Sequence, residues 1–132
     1  MNRASDPRLF PTTAGLLTPD GRYAVRNLCQ NLGVEPAELA RLTGRATESV
    51  AKLFGNQPSK PREIRTLRVL RELLQLHGIL DALGLAGDEM RSWMHSPLPA
   101  FDGKTPQEVI EEGRGQELIA RLTAYSSGNV PA

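Results

Sequence analysis

The chain has 132 residues and a mass of 14.4 kDa, room for one domain or two small helical subdomains sharing a core and too little for a multi-domain enzyme. Sixteen Lys/Arg against fifteen Asp/Glu leave a net charge of +1, so the overall charge names no partner. The lone cysteine, Cys29, excludes an internal disulfide and a cysteine-rich zinc site and suits a reducing compartment.

No apolar run approaches the roughly 18 residues of a membrane span. The stretch Met1–Pro7 lacks the apolar core of a leader, so a soluble, cytoplasmic chain with no membrane contact is expected. The near-neutral total hides an asymmetry. Residues 1–80 carry twelve Lys/Arg and seven Asp/Glu, whereas residues 81–132 carry four and eight. A basic half joined to an acidic half suggests two different partners, one a polyanion; ordinary scatter of solvated charge is the alternative.

Residues 1–19, with Pro7, Pro11, Gly15 and Pro19, read as an arm whose Leu9-Phe10 and Leu16-Leu17 can dock on the body. From Asp20, a candidate N-cap, the residues Tyr23, Val25, Leu28, Cys29 and Leu32 recur at helical spacing until Gly33. Pro36 opens a short helix that Gly44 closes, and Thr47 caps or begins a third that ends near Phe54-Gly55. Pro58 and Pro61 mark a linker, with Pro61 suited to the first turn of the next helix.

That helix, about residues 61–83, is the longest. Val69, Leu73, Leu76, Leu80 and Leu83 alternate along it with Leu67, Leu70 and Leu74 beside them, a face broad enough for a central core helix or a dimer seam. A short helix over about 87–95 carries Met90, Trp93 and Met94. A proline-rich loop follows around Phe101, and Thr105-Pro106-Gln107-Glu108 reads as a capping box with proline at the first helical position. Helix 106–112 stops at Gly113, Gln116–Tyr125 forms the last helix, and the tail Ser126–Ala132 is expected to be mobile unless a partner orders it. No strand or repeat is evident. The expected fold is all-α.

Three short helices between Asp20 and Gly55 have the proportions of a helix-turn-helix unit. Two steeply crossing helices need a small contact residue, a turn residue that tolerates positive φ, and apolar anchors beyond it. Ala40, Gly44, Val50 and Leu53 meet those needs, although the same spacing also serves a helical hairpin that never touches DNA. The series Ala40-x3-Gly44-x5-Val50-x2-Leu53 resembles the phage-repressor-like (Xre) helix-turn-helix. The resemblance implies a recognition helix from about Ala46 to Leu53 lying in the major groove. Thr47, Glu48, Ser49 and Lys52 would meet bases or phosphates, and Arg45, Asn56, Lys60 and Arg62 would flank them. One basic residue on that helix implies modest affinity for a single copy, so a homodimer reading a palindrome is expected.

From Met90 onward the order is Trp93, the loop Pro97-Leu98-Pro99-Ala100-Phe101, Gly103-Lys104-Thr105-Pro106, Glu108-Val109-Ile110, Gly113, and Leu118-Ile119-x2-Leu122. This order resembles the C-terminal toxin-binding domain of the Xre/MbcA/ParS antitoxin family. It departs from the family at Met94-His95-Ser96, and Arg114-Gly115 adds a second glycine. The resemblance implies a type II antitoxin that neutralises an NAD-consuming RES-domain toxin by occluding its active site, and that binds its own operator within a larger toxin–antitoxin assembly. Mapped by position, the last helix and tail, Arg121–Ala132, would cover the toxin with help from the loop Trp93–Thr105. The toxin-facing candidates are Trp93, Phe101, Lys104, Thr105, Arg121, Tyr125 and Asn129. Trp93 and Phe101 also read as a local core, and an exposed aromatic would instead anchor a partner.

Catalytic chemistry is not expected. His77 and His95 have no Cys, Asp or Glu at ligand spacing, so no metal site and no cofactor are expected. Cys29 lies on an apolar face, and Glu111 and Glu112 diverge around their helix. Arg62, Arg65, Arg68 and Arg71 spiral around the long helix as a solvated face or as contacts to DNA or another subunit. The expected organisation is an arm (1–19), an Xre-like helix-turn-helix (20–60), a long central helix (61–85) and a toxin-binding domain with its tail (86–132). The competing reading is a stand-alone repressor whose C-terminal half only dimerises.

Overall fold

The computed structural model describes residues 15–126. All regular elements among them are helical: α1 (Val25–Leu32), α2 (Pro36–Thr43), α3 (Thr47–Leu53), α4 (Ile64–Ala82), α5 (Asp88–Met94), α6 (Pro106–Glu111) and α7 (Gly115–Ser126). A single 3₁₀ turn, Pro99–Phe101, lies in the loop between α5 and α6. Extended pairing among the described residues is limited to the isolated bridges Leu17–Tyr23, Tyr23–Ser59 and Leu98–Lys104.

The first helix begins at Val25, with Ala24 and not Asp20 at its N-cap position. Asp20 caps a turn and not a helix. The Thr18 amide donates to the Arg22 carbonyl at 2.8 Å, and the Asp20 carboxylate accepts from Arg22 Nε and the Thr18 hydroxyl. Those two hydrogen bonds hold the Asp20 carboxyl below its ordinary pKa. Tyr23 then exchanges backbone hydrogen bonds with Ser59 at 2.6 and 2.8 Å, which keeps it extended. Leu16 from the arm is buried, whereas Leu17 is exposed; Leu9 and Phe10 lie outside the described residues.

The long helix is shorter at its start than expected. Pro61 stays outside it, Glu63 is extended at φ −70° and ψ 129°, and helical geometry starts at Ile64. Beyond the exposed Ile64 at its start, its main apolar face is consumed inside the chain: Val69, Leu70, Leu73, Leu76 and Leu80 are all at most 1% exposed. It is therefore a central core helix, packed by α1, α2, α5 and α7. Each fully buried leucine contributes about 1.5–3 kcal/mol relative to exposure.

One contiguous core runs through both halves. Leu28, Cys29 and Leu32 of α1, Leu39 and Leu42 of α2, and Val50 and Leu53 of α3 join Met90 and Met94 of α5, Val109 and Ile110 of α6, and Leu118 and Ile119 of α7. Burial pushes the Cys29 thiol up to about 12, so it acts as a small apolar residue. Among the described residues no helix is long and apolar enough to cross a membrane.

Candidate functional site

The pair α2 and α3 is built by local signals. Glu35 and Glu38 form a capping box at the start of α2, with Pro36 at the first helical position. Gly44 ends α2 at φ +69°, a conformation that a side chain would strain. A Cβ there would also come within 2.7 Å of Arg65 Nη1, so that guanidinium would have to shift. Arg65 is itself anchored, donating from Nε to the Leu42 carbonyl at 3.3 Å. Leu39, Leu42, Val50 and Leu53 are buried between the two helices and the body, and Ala40 is half-buried.

The candidate DNA-contacting side chains divide into two groups. Thr47, Glu48 and Lys52 are exposed along α3. Arg45 and Ser49 are held inward: Arg45 Nε donates to Ser49 Oγ at 2.8 Å, and Nη1 donates to Thr66 Oγ1 at 3.3 Å and lies 4.0 Å from Glu63. Arg45 thus braces the start of α3 against α4. Asn56 Oδ1 accepts from Arg26 Nη1 at 3.0 Å, and Lys60 Nζ donates to the Asp20 carbonyl at 3.4 Å. Arg62 and Arg71 are exposed on the same basic half.

In the second half, the capping box expected at Thr105 is present. Thr105 Oγ1 accepts from the Glu108 amide at 3.2 Å, and the Thr105 amide donates to Glu108 Oε1 at 2.8 Å. The Thr105 side chain therefore caps the start of α6. Ahead of it, the Leu98 amide donates to the Lys104 carbonyl at 2.8 Å, closing a loop whose Asp102 and Gly103 both have positive φ. Phe101 at the loop's tip is 2% exposed, so it belongs to the core and does not form a contact surface. Its ring carries the guanidinium groups of Arg114 at 4.9 Å and Arg121 at 5.7 Å.

Trp93 is half-buried against the core, and Lys104 pairs with Glu112. Arg114 makes a two-pronged pair with Glu117 at 3.1 and 3.0 Å, which lowers the Glu117 pKa and raises that of Arg114. Arg121 and Tyr125 project from α7, with Tyr125 57% exposed. Asn129 lies outside the described residues.

Sequence spacing missed the junction between the halves. His95 Nδ1 donates to the Arg91 carbonyl at 2.9 Å, and Nε2 meets Glu38 Oε2 of α2 at 3.0 Å. The Gln107 amide lies 3.1 Å from the same ring nitrogen. The Arg91 carbonyl, and then Glu38, raise the His95 pKa against the opposing effect of burial. Glu38, His95 and Gln107 line a cleft of about 250 Å³ with Arg41, Glu108 and Glu111. No local motif could have announced it, because Glu38 and His95 are brought together only by packing. Among the described residues no cluster of three or more His, Cys, Asp or Glu could hold a metal ion.

Residues 80–124 match the family described as the antitoxin Xre/MbcA/ParS C-terminal toxin-binding domain, from the last turn of α4 into α7. Over 106 residues the chain is 26% identical to the mycobacterial cidal antitoxin MbcA of Mycobacterium bovis and of Mycobacterium tuberculosis, spanning 79% of this chain and 89% of the relative. The crystal structure of the M. tuberculosis MbcT–MbcA toxin–antitoxin complex contains a chain with the same fold. It matches with a TM-score of 0.62 at 24% identity, covering 80% of this chain and 92% of that one.

Proposed function

From a chain whose residues 80–124 match the toxin-binding domain of Xre/MbcA/ParS antitoxins, we infer an antitoxin of a toxin–antitoxin system with two working faces on one core. It acts by binding and not by turnover. Its C-terminal half neutralises an NAD-consuming RES-domain toxin by covering the mouth of the active site. The cover is α7 and the residues that follow it to Ala132, with Arg121 and Tyr125 as the leading contacts and the loop around Trp93 beside them.

The observation that carries this reading is the family match over α5–α7, in a half where Arg121 and Tyr125 are exposed. The acidic balance of residues 81–132 complements a basic cleft on the partner. Phe101, with both arginines over its ring, sets where Arg121 can reach.

The N-terminal half binds operator DNA through α3. Thr47, Glu48 and Lys52 face the groove, while Arg45 and Ser49 stiffen the helix from behind. One lysine on α3 gives a single copy modest affinity, so the chain acts as a homodimer within a larger toxin-bound assembly in the cytoplasm. Co-expression tests the division of labour. The intact chain should co-purify with the toxin and rescue growth, and a chain ending at residue 120 should lose both while still shifting operator DNA. Rescue by the shortened chain would contradict the assignment of α7.

A further inference from the structure

The central helix carries one fully buried carboxylate. Glu72 is 1% exposed, in the middle of α4. A buried carboxylate is costly unless it is paired and hydrogen-bonded, and the groups that answer it come from two helices. Arg68, one turn earlier in α4, donates to Oε1 at 3.3 Å. Gln116, the second residue of α7, donates from Nε2 to Oε2 at 3.3 Å and reaches Gln75 at 3.2 Å. The first residue of α7, Gly115, is buried directly against the carboxylate: a Cβ there would come within 2.6 Å of Glu72 Cδ. The carboxylate thus faces the end of α7 where free amides carry partial positive charge.

We propose that Glu72 is the positioning residue for α7, fixing the register in which that helix presents Arg121 and Tyr125. Leu118 and Ile119 press α7 onto the body, but apolar contact is non-directional and tolerates sliding. The carboxylate does not. Moving α7 by one residue would bring the Cβ of Gln116 or Arg114 to a spot where only a glycine fits, and would break the Gln116 hydrogen bond. Glu72 lies outside the matched segment 80–124, so the toxin-binding domain takes its alignment from a side chain that is not part of it. The link to toxin rests on the function proposed above; the seating of α7 does not.

The test uses the full chain with Gly115→Ala, Glu72→Ala and the double variant, read by amide hydrogen exchange and by the dissociation rate of the toxin complex. Gly115→Ala should lower protection across residues 116–125, leave α1–α3 unchanged and speed toxin dissociation about tenfold. Glu72→Ala alone should also lower protection across residues 116–125 and speed dissociation, because the restraint is gone; the double variant, free of the clash but also of the restraint, should match Glu72→Ala and not the parent. Glu72→Gln keeps the shape and one of the two accepting oxygens, so it should fall between Glu72→Ala and the parent in both readouts. If Gly115→Ala unfolds, Glu72→Ala and Glu72→Gln carry the test by the same readouts. Parent-like exchange in Glu72→Ala, or a double variant that returns to parent protection, would overturn the proposal. Failure of the parent chain to bind toxin would instead sink the functional reading, while exchange would still decide the role of Glu72.

Discussion

Glu38 in α2 and His95 at the end of α5 are separated by 57 positions and meet through a carboxylate–imidazole contact of 3.0 Å. The contact ties the pair α2–α3 to the C-terminal half directly. With Nδ1 donating to the Arg91 carbonyl, Nε2 can donate to Glu38 only when the ring is protonated.

A pH dependence follows. The folded His95 pKa is raised above its ordinary 6.5, so its stabilisation is fully present below that value and is lost as pH rises through the raised one. Side-chain exposure of 46% limits the effect to at most about 1 kcal/mol. Thermal melts across the neutral range should show the parent losing more stability with rising pH than His95→Gln. Parallel curves would contradict it. Asp20 and Glu117, whose pKa values are lowered, act in the opposite sense and only at acid pH.

Arg45 and Lys52 should separate cleanly. Arg45→Ala removes the brace to Ser49 and Thr66 and should cost about 1–2 kcal/mol in urea unfolding. Lys52→Ala, at an exposed site, should leave stability within about 0.5 kcal/mol. It should instead lower the slope of log affinity for operator DNA against log salt by about one. Equal salt slopes for the parent and Lys52→Ala would remove Lys52 from the DNA face.

Phe101→Ala should destabilise the chain by about 3–5 kcal/mol, because the ring is buried and supports both Arg114 and Arg121. Thr105→Ala should cost about 1 kcal/mol through loss of the helix cap. Both are read by urea unfolding, and a Phe101→Ala cost below that of Thr105→Ala would place the ring outside the core.

Where structure is decided locally, the sequence is readable. The spacing of Val69, Leu73, Leu76 and Leu80 marks the long helix, Gly33 and Gly44 mark helix ends, and Thr105-Pro106-x-Glu108 marks a cap. Distant partners defeat the rest. Asp20 resembles an N-cap because nothing nearby in the chain shows that Tyr23 pairs with Ser59. Ser49 reads as groove-facing and Arg45 as a flanking phosphate contact because nothing local reveals that Arg45 bonds both Ser49 and, across the turn, Thr66. Phe101 reads both as local core and as a partner anchor until packing places it in the core, and no spacing along α4 distinguishes the buried Glu72 from an exposed charge. Gly115 stands out as a departure from the family order, and the carboxylate packed against it supplies the physical reason for a glycine there.

The most direct test of the account is NAD consumption by the purified RES-domain toxin titrated with the purified chain. Saturable suppression is expected, with the chain ending at residue 120 giving none at the same concentration while still binding operator DNA. Undiminished NAD consumption at saturating chain would contradict the central claim.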